Sequence, residues 1–267
     1  MTYSRPMNPT LPRRSALVAA GALAVVLAVA LGVARPWMPP VETPPIAAAD
    51  EGISPAPLAL PEHPTVLVFG DSWTYGSAAT PRTHGYAHLL GGLLHGTTII
   101  DGVRGSGYQK PGIDGPDYAT RIRSLDAGIA PDLIIIQGSI NDRREDPATF
   151  PAAVNAAWDA LADVFPDAPV VVLGPAPHEL PVGASTARID HDLSVLAAQR
   201  AWWYISPVQE EWITTADYPW IIDAGPGLLH PSDAGHEYLA HRVIEALDRF
   251  RTAPITAADS AAPDPVE

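Results

Sequence analysis

The chain has 267 residues, a formal net charge of −14 at pH 7 and no cysteine. Without cysteine, disulfides, thiol catalysis and thiolate zinc sites are excluded, and the negative charge argues against nucleic acid as a partner because phosphates would be repelled. Hydrophobic residues make up 47% of the chain, enough for a large core. The preference for arginine over lysine, with much alanine and proline, is typical of GC-rich coding and favours a bacterial source.

The first 34 residues have the pattern of a membrane segment. Residues 1–14 carry three arginines and no acid, and residues 15–34 carry no charge. Twenty helical residues span about 30 Å, the thickness of a bilayer core. The positive charge before this span predicts that the amino terminus stays inside and the rest of the chain lies outside the membrane. A cleaved signal segment is the alternative, since Ala47–Ala49 offer a small-residue cleavage site.

Two further segments differ in composition from the middle of the chain. Residues 35–64 are rich in proline, which predicts a semi-extended linker. Residues 252–267 are rich in Ala, Pro and Asp, and they predict a disordered tail. One folded domain is therefore expected over residues 65–251.

Within that domain, short apolar runs alternate with helical patterns. The predicted strands are 66–69, 98–100, 133–136, 170–173 and 203–205, and the predicted helices are 85–94, 118–127, 151–164, 186–198 and 232–250. Most of the strands are continuous apolar runs, as expected for parallel strands covered on both faces. The alternation predicts a three-layer α/β/α domain with a flavodoxin-like, doubly wound parallel sheet of five strands.

The first predicted strand stops at Gly70-Asp71-Ser72. This places a serine at the carboxyl edge of the sheet, where ligands bind in such folds. A serine hydroxyl becomes a nucleophile only beside a base and donors for the developing oxyanion. A helix cap is the alternative role for Ser72, and Asp71 is expected to be a structural hydrogen-bonding residue.

Three later blocks provide candidates for those parts. After Gly70-Asp71-Ser72-x-x-x-Gly76 come a glycine-rich turn at 102–107, an Asn-Asp pair at Asn141 and a His-Pro block at His230. In this order they resemble the SGNH (GDSL-type) serine hydrolases, over residues 65 to 250.

The resemblance implies a role for each block. Ser72 would be the nucleophile, His230 the general base, and the N–H groups of Ser72 and Gly105 with the Asn141 amide the oxyanion hole. Gly107 is a rival to Gly105, and Asn141 could instead form an Asx turn. No cofactor is implied.

The catalytic acid departs from the family pattern. The family commonly has aspartate three residues before the histidine, and here that residue is Gly227. Asp223 is the candidate to complete a triad, because the glycines and proline between it and His230 allow the chain to loop back. The alternative is a Ser-His dyad whose ring is oriented by a backbone carbonyl.

The remaining histidines and aromatic residues have simpler interpretations. His84 and His88 lie four residues apart, but no third ligand is at suitable spacing, so no metal is expected. His236 is expected to pack near the site rather than act as a second base. The aromatic residues between 202 and 220 either pack in the core or form a platform beside the pocket.

Together these observations predict an extracytoplasmic serine hydrolase that cleaves carboxylic esters on glycans, lipids or small molecules through an acyl-Ser72 intermediate. An acyltransferase with the same residues and a non-catalytic cell-surface binding module are the alternatives.

Overall fold

A computed structural model of the protein describes residues 55–252. Five parallel strands form the main sheet in the order β2-β1-β3-β4-β5, and β6 and β7 form a small antiparallel pair. The elements are β1 (Thr65–Gly70), α1 (Ser72–Tyr75), α2 (Tyr86–Leu93), β2 (Thr97–Gly102), α3 (Tyr118–Ile122), β3 (Leu133–Gln137), α4 (Phe150–Val164), β4 (Val170–Leu173), α5 (Ala184–Gln199), β5 (Trp203–Ile205), α6 (Tyr218–Ile221), β6 (Ile222–Asp223), β7 (His230–Pro231) and α7 (Asp233–Arg251). The predicted flavodoxin-like α/β fold is confirmed.

Alternate strand residues face opposite layers, so the sheet has a core on each side. Val66, Val68 and Ile135 pack with α2 and α7. The intervening strand residues pack with α3, α4 and α5, including the fully buried Trp158. Because both faces are covered, the central strands need the continuous apolar runs seen in the sequence.

The chain adds β2 on one side of β1 and then adds β3, β4 and β5 in turn on the other side. The direction in which strands are added therefore reverses between β1 and β3. In a doubly wound sheet the loops that leave the strands at such a point diverge, and a crevice opens at the carboxyl ends of the strands. Ser72 follows β1, Gly105 follows β2 and Asn141 follows β3. The topology therefore brings three of the predicted site residues to one edge.

Two boundaries differ from the prediction by more than two residues. Helix α3 ends at Ile122 rather than near 127, because the Asp126 carboxylate accepts the N–H of Gly128 and caps a separate 3₁₀ turn, Ala127–Ile129. Part of the predicted linker also lies against the domain. Leu58 is buried, and its N–H donates to the carbonyl of Phe250 at 2.8 Å.

The predicted membrane segment at 15–34 lies outside the described residues, as do 253–267 of the predicted tail. Between residues 55 and 252, no helix combines the length and the apolar character needed to cross a bilayer.

Candidate active site

Ser72 is delivered to the cleft by a tight turn at the end of β1. The Asp71 carboxylate caps α1 by accepting the N–H of Trp73 at 2.9 Å. Gly70 leaves no room for a Cβ, which would collide with the Thr74 hydroxyl. Ser72 is 7% exposed, so its hydroxyl is reached only through the cleft.

His230 lies directly beside the serine. Its Nε2 is 2.9 Å from Ser72 Oγ, and its Nδ1 is 2.7 Å from the carbonyl oxygen of Gly227. A carbonyl only accepts hydrogen bonds, so the proton of the neutral ring belongs on Nδ1. Nε2 then presents its lone pair to the serine hydroxyl, which is the arrangement that a general base requires.

Asp223 does not reach the imidazole. Its carboxylate accepts the N–H of Gly225 at 2.9 Å, and its carbonyl accepts the N–H of Leu229. A Cβ on Gly227 would lie 2.6 Å from the Asp223 Cβ, so the Asp223 side chain occupies the space beside that glycine. The Nδ1 position predicted for the Asp223 carboxylate is therefore taken by the Gly227 carbonyl, and Asp223 shapes the turn that carries it.

That turn is conformationally demanding. Leu228 and Leu229 both have positive φ, 51° and 66°. Side chains rarely adopt this region of the backbone map, and each such residue costs of order 1 kcal/mol. The N–H of Leu228 donates to Gly225 and that of His230 to Gly227, which closes the turn. We call residues 224–229 the histidine turn.

Gly105 and Asn141 lie on the same cleft as the serine and histidine. Gly105 has φ of +75°, which favours glycine. The Asn141 amide donates to the Ser106 carbonyl at 2.9 Å and lies 3.4 Å from Asp71 Oδ2. Gly107 does not line the cleft, because it packs on the Asp142 carboxylate where a Cβ could not fit. Close packing therefore accounts for Gly107, and Gly105 is the better oxyanion candidate.

The catalytic cleft is open to solvent and has a volume of about 520 Å³. Besides Ser72, His230, Gly105 and Asn141, it is lined by Tyr75, Arg82, Arg104, Ile113 and Leu228, among others. None of the aromatic residues between 202 and 220 lines it. Trp212 is instead buried in the core, which agrees with the packing interpretation.

Comparison with known proteins identifies the family of the chain. The sequence profile of the GDSL-like Lipase/Acylhydrolase family matches residues 68–238. The chain belongs to this family. A GDSL lipase of Mycobacterium tuberculosis is 29% identical over 192 residues, which cover 67% of this chain and 79% of that protein.

Two solved structures share the fold at low identity. A carbohydrate acetylesterase from Sinorhizobium meliloti has a TM-score of 0.56 at 16% identity, covering 70% of this chain and 99% of the other. A two-domain esterase active on acetylated mannans has a TM-score of 0.55 at 20% identity, covering 77% of this chain and 53% of the other.

In this GDSL-family chain a buried carboxylate holds the loop after β2. Asp142 is fully buried and accepts the N–H groups of Tyr108, Gln109 and Lys110 at 2.8, 3.1 and 3.2 Å. Burial raises its pKa to about 6, although these hydrogen bonds oppose the increase. Asp142 follows Asn141, so this clamp fixes the two oxyanion candidates relative to each other.

A buried arginine ties the same loop to the strands. The Arg121 guanidinium donates to the Gly70 carbonyl at 3.0 Å and to the Ser106 hydroxyl at 2.9 Å, and it pairs with Asp101 at 2.6 Å. It also lies 4.1 Å from the centroid of the Phe69 ring. Sequence reasoning missed Arg121, since an arginine on a helix has no pattern that marks it as buried.

Asp71 and His236 support the site without entering the cleft. Burial is the main cause that raises the pKa of Asp71 to about 7, against the lowering effect of the Trp73 N–H. His236 accepts the N–H of Tyr86 through Nδ1 and donates from Nε2 to the Ser77 carbonyl. Burial lowers its pKa to about 4, so the ring is neutral and fully engaged. Within residues 55–252 no three acidic or histidine side chains gather as a metal site would require.

Proposed function

We propose that the protein is a serine hydrolase that cleaves carboxylic esters through an acyl-Ser72 intermediate. The observation that carries this proposal is the 2.9 Å contact between Ser72 Oγ and His230 Nε2 in an open cleft that also contains Gly105 and Asn141. Membership of an esterase and acylhydrolase family supports the choice of an ester.

The first half of the reaction forms the acyl enzyme. Ser72 Oγ attacks the ester carbonyl carbon while its proton passes to His230 Nε2. The resulting oxyanion accepts hydrogen bonds from the N–H groups of Ser72 and Gly105 and from the Asn141 amide. When the carbon–oxygen bond to the alcohol breaks, the imidazolium returns the proton to the leaving oxygen.

The second half repeats these steps with water. A water molecule attacks the acyl carbon as Nε2 takes its proton, and the tetrahedral adduct collapses to release the acid and restore the serine. Throughout, the Gly227 carbonyl holds Nδ1–H and stabilises the charged ring with a dipole. We propose that this Ser-His pair, completed by a backbone carbonyl, replaces the usual triad.

Covalent labelling tests the nucleophile. A fluorophosphonate probe is expected to label the wild-type protein and not Ser72→Ala. Ser194→Ala is the matched control, since that hydroxyl lies outside the cleft and donates within its own helix to the His191 carbonyl. Ser72→Ala should also lose at least about 10³-fold in turnover of 4-nitrophenyl acetate. A folded wild-type protein that is never labelled would favour a binding module.

Product analysis separates hydrolysis from acyl transfer. Both reactions use the same acyl enzyme, and they differ only in whether water or an acceptor hydroxyl attacks it. We expect free acid as the main product even when a sugar acceptor is added. Acylated sugar as the main product would contradict hydrolysis as the function.

We also propose that the domain works outside the cytoplasmic membrane. The support is the charge-free segment 15–34 preceded by arginines. Protease added to intact cells that express the full chain should degrade the domain if it stays anchored. Amino-terminal sequencing of the mature protein would identify cleavage, and a domain found only in the cytosol would refute the proposal.

A further inference from the structure

The charge of the catalytic cleft is opposite to that of the whole chain. The chain has 30 acidic residues against 16 lysines and arginines. The residues that line the cleft nevertheless include Arg82 and Arg104 and no aspartate or glutamate. A local positive potential in a negative protein attracts anions to one place and repels them elsewhere.

The two arginines lie against one aromatic ring. The Arg82 guanidinium carbon is 4.8 Å from the centroid of the Tyr75 ring, and that of Arg104 is 5.5 Å from the same centroid. Cation–π contact holds an exposed guanidinium in place while leaving its N–H groups at the edge available. The Tyr75 ring therefore holds two guanidinium groups, each with a positive charge, on one wall of the cleft.

The position of Arg82 depends on Gly76, the last residue of the Gly70-Asp71-Ser72-x-x-x-Gly76 segment. Gly76, with φ of +84°, ends α1 and packs against the turn that contains Arg82. A Cβ on Gly76 would lie 2.9 Å from the Arg82 carbonyl oxygen, and one on Gly85 would lie 2.8 Å from the Gly76 Cα. These two glycines let the turn approach closely enough for the arginine to reach Tyr75.

The charges of the two arginines are balanced to different degrees. Arg104 pairs with Asp114 at 2.7 Å. Arg82 has no ion pair or side-chain hydrogen bond within residues 55–252. The nearby Asp233 carboxylate accepts the N–H of Thr80 and lies 3.9 Å from His84. The wall of the cleft thus carries one uncompensated cation.

We propose that Arg82, assisted by Arg104, binds an anionic group of the ester substrate, a carboxylate or a phosphate. This inference rests on the proposed ester hydrolysis and names its substrate class. Tyr75 follows Ser72 by three residues in α1, about 4.5 Å along a helix axis. The arginines and Ser72 line the same cleft, so one substrate can present its ester to the serine and its anionic group to the arginines. Arginine suits the role because its planar fork forms paired hydrogen bonds with such oxyanions.

Matched ester pairs test this specificity. One pair is 3-acetoxybenzoate and its methyl ester, the second is 3-acetoxyphenyl phosphate and its dimethyl ester, and the third is 4-nitrophenyl hydrogen adipate and its methyl ester. The first two place a carboxylate or a phosphate on the alcohol side, and the third places a carboxylate on the acyl side. The readout is the charged-to-neutral ratio of kcat/KM.

We expect Arg82→Gln to lower this ratio about tenfold in at least one pair, which corresponds to about 1.4 kcal/mol, and Arg104→Gln to lower it less. Arg123→Gln is the control for net charge, because Arg123 is exposed and lies outside the cleft. Its ratios should match the wild type. The pair that responds identifies the anion and the side of the ester on which it lies.

Two results would overturn the inference. If wild type cleaves the neutral esters and neither cleft variant changes any ratio more than Arg123→Gln does, the anion site is refuted while the hydrolase stands. If wild type cleaves none of the six esters, the hydrolase is refuted and the inference with it.

Discussion

The two sides of the catalytic cleft are held in place by different means. On the oxyanion side, the loops after β2 and β3 are joined through buried side chains. The Asp142 carboxylate accepts three N–H groups, the Ser139 hydroxyl donates to the Ser106 carbonyl, and the Arg121 guanidinium connects the loop to β1. On the histidine side, the histidine turn is held mainly by backbone hydrogen bonds and one partly buried carboxylate, that of Asp223.

The residues on the oxyanion side are also less exposed to solvent than those of the histidine turn. Asp142 and Ser139 are fully buried, whereas Leu228 is 76% exposed. Segments with few buried contacts open at lower free energy than buried networks. The contrast therefore indicates that the proposed oxyanion donors are fixed by the fold, while the proposed base, His230, depends on a short, strained turn. The four predictions below test that contrast, from the largest expected effect to the smallest.

Of these four predictions, removal of the Asn141 amide should have the largest effect, a loss of kcat. Asn141→Ala deletes one proposed oxyanion donor, and we expect kcat to fall by about 10²- to 10³-fold. The free energy of unfolding should fall by only about 1–2 kcal/mol, since the amide loses its hydrogen bond to the Ser106 carbonyl and a longer one to Asp71 Oδ2. Asn155→Ala is the control, because it removes an amide that bonds Arg200 away from the cleft. A loss in kcat below about fivefold would remove Asn141 from the oxyanion hole.

The parts that could be predicted from sequence are those with a pattern of their own. The continuous apolar runs predict the five parallel strands, because strands covered on both faces need such runs. The positions of Ser72, His230 and Asn141 follow from polar blocks at strand ends or a helix start. Each is a side chain whose chemistry is visible in the sequence.

What could not be predicted depends on contacts between distant segments. The partner of His230 Nδ1 is a backbone carbonyl, and a carbonyl has no residue type that marks it. Arg121 and Asp142 act through groups 15 to 51 positions away in the chain. The Asn-Asp pair was a signal for Asp142, but only the fold identifies which N–H groups its carboxylate accepts.

Breaking the clamp at Asp142 should lower stability more than Asn141→Ala or Asp223→Asn does. Asp142→Ala leaves three N–H groups without their acceptor, and we expect a loss of about 3 kcal/mol in the free energy of unfolding. Urea denaturation measures it. Asp146→Ala is the control, because that exposed carboxylate accepts one N–H, from Ala148. Equal losses in the two variants would contradict a special role for the buried clamp.

The clamp should also make stability depend on pH. The pKa of Asp142 is raised from 3.8 to about 6, so the folded protein binds a proton more tightly than the unfolded chain. The contribution of Asp142 to the free energy of unfolding is therefore full below about pH 4 and is lost as pH rises through 6. Relative to Asp142→Asn, the wild type should lose on the order of 2–3 kcal/mol between pH 4 and 7. Parallel stability curves for the two proteins would contradict the raised pKa.

The smallest effect is expected at Asp223, on the histidine side. Its carboxylate accepts the Gly225 N–H and leaves Nδ1 to the Gly227 carbonyl. An asparagine side-chain oxygen can accept the same N–H, so Asp223→Asn should change kcat by less than about threefold, or 0.7 kcal/mol. A true triad carboxylate would behave differently, since its amide variant loses tautomer control and about 10⁴-fold in kcat. Asp126→Asn is the matched control, because Asp126 accepts the N–H of Gly128 in the same way at a remote turn. Similar kcat values for both variants would support the Ser-His pair, whereas a loss confined to Asp223→Asn would mean that this carboxylate reaches the imidazole during catalysis.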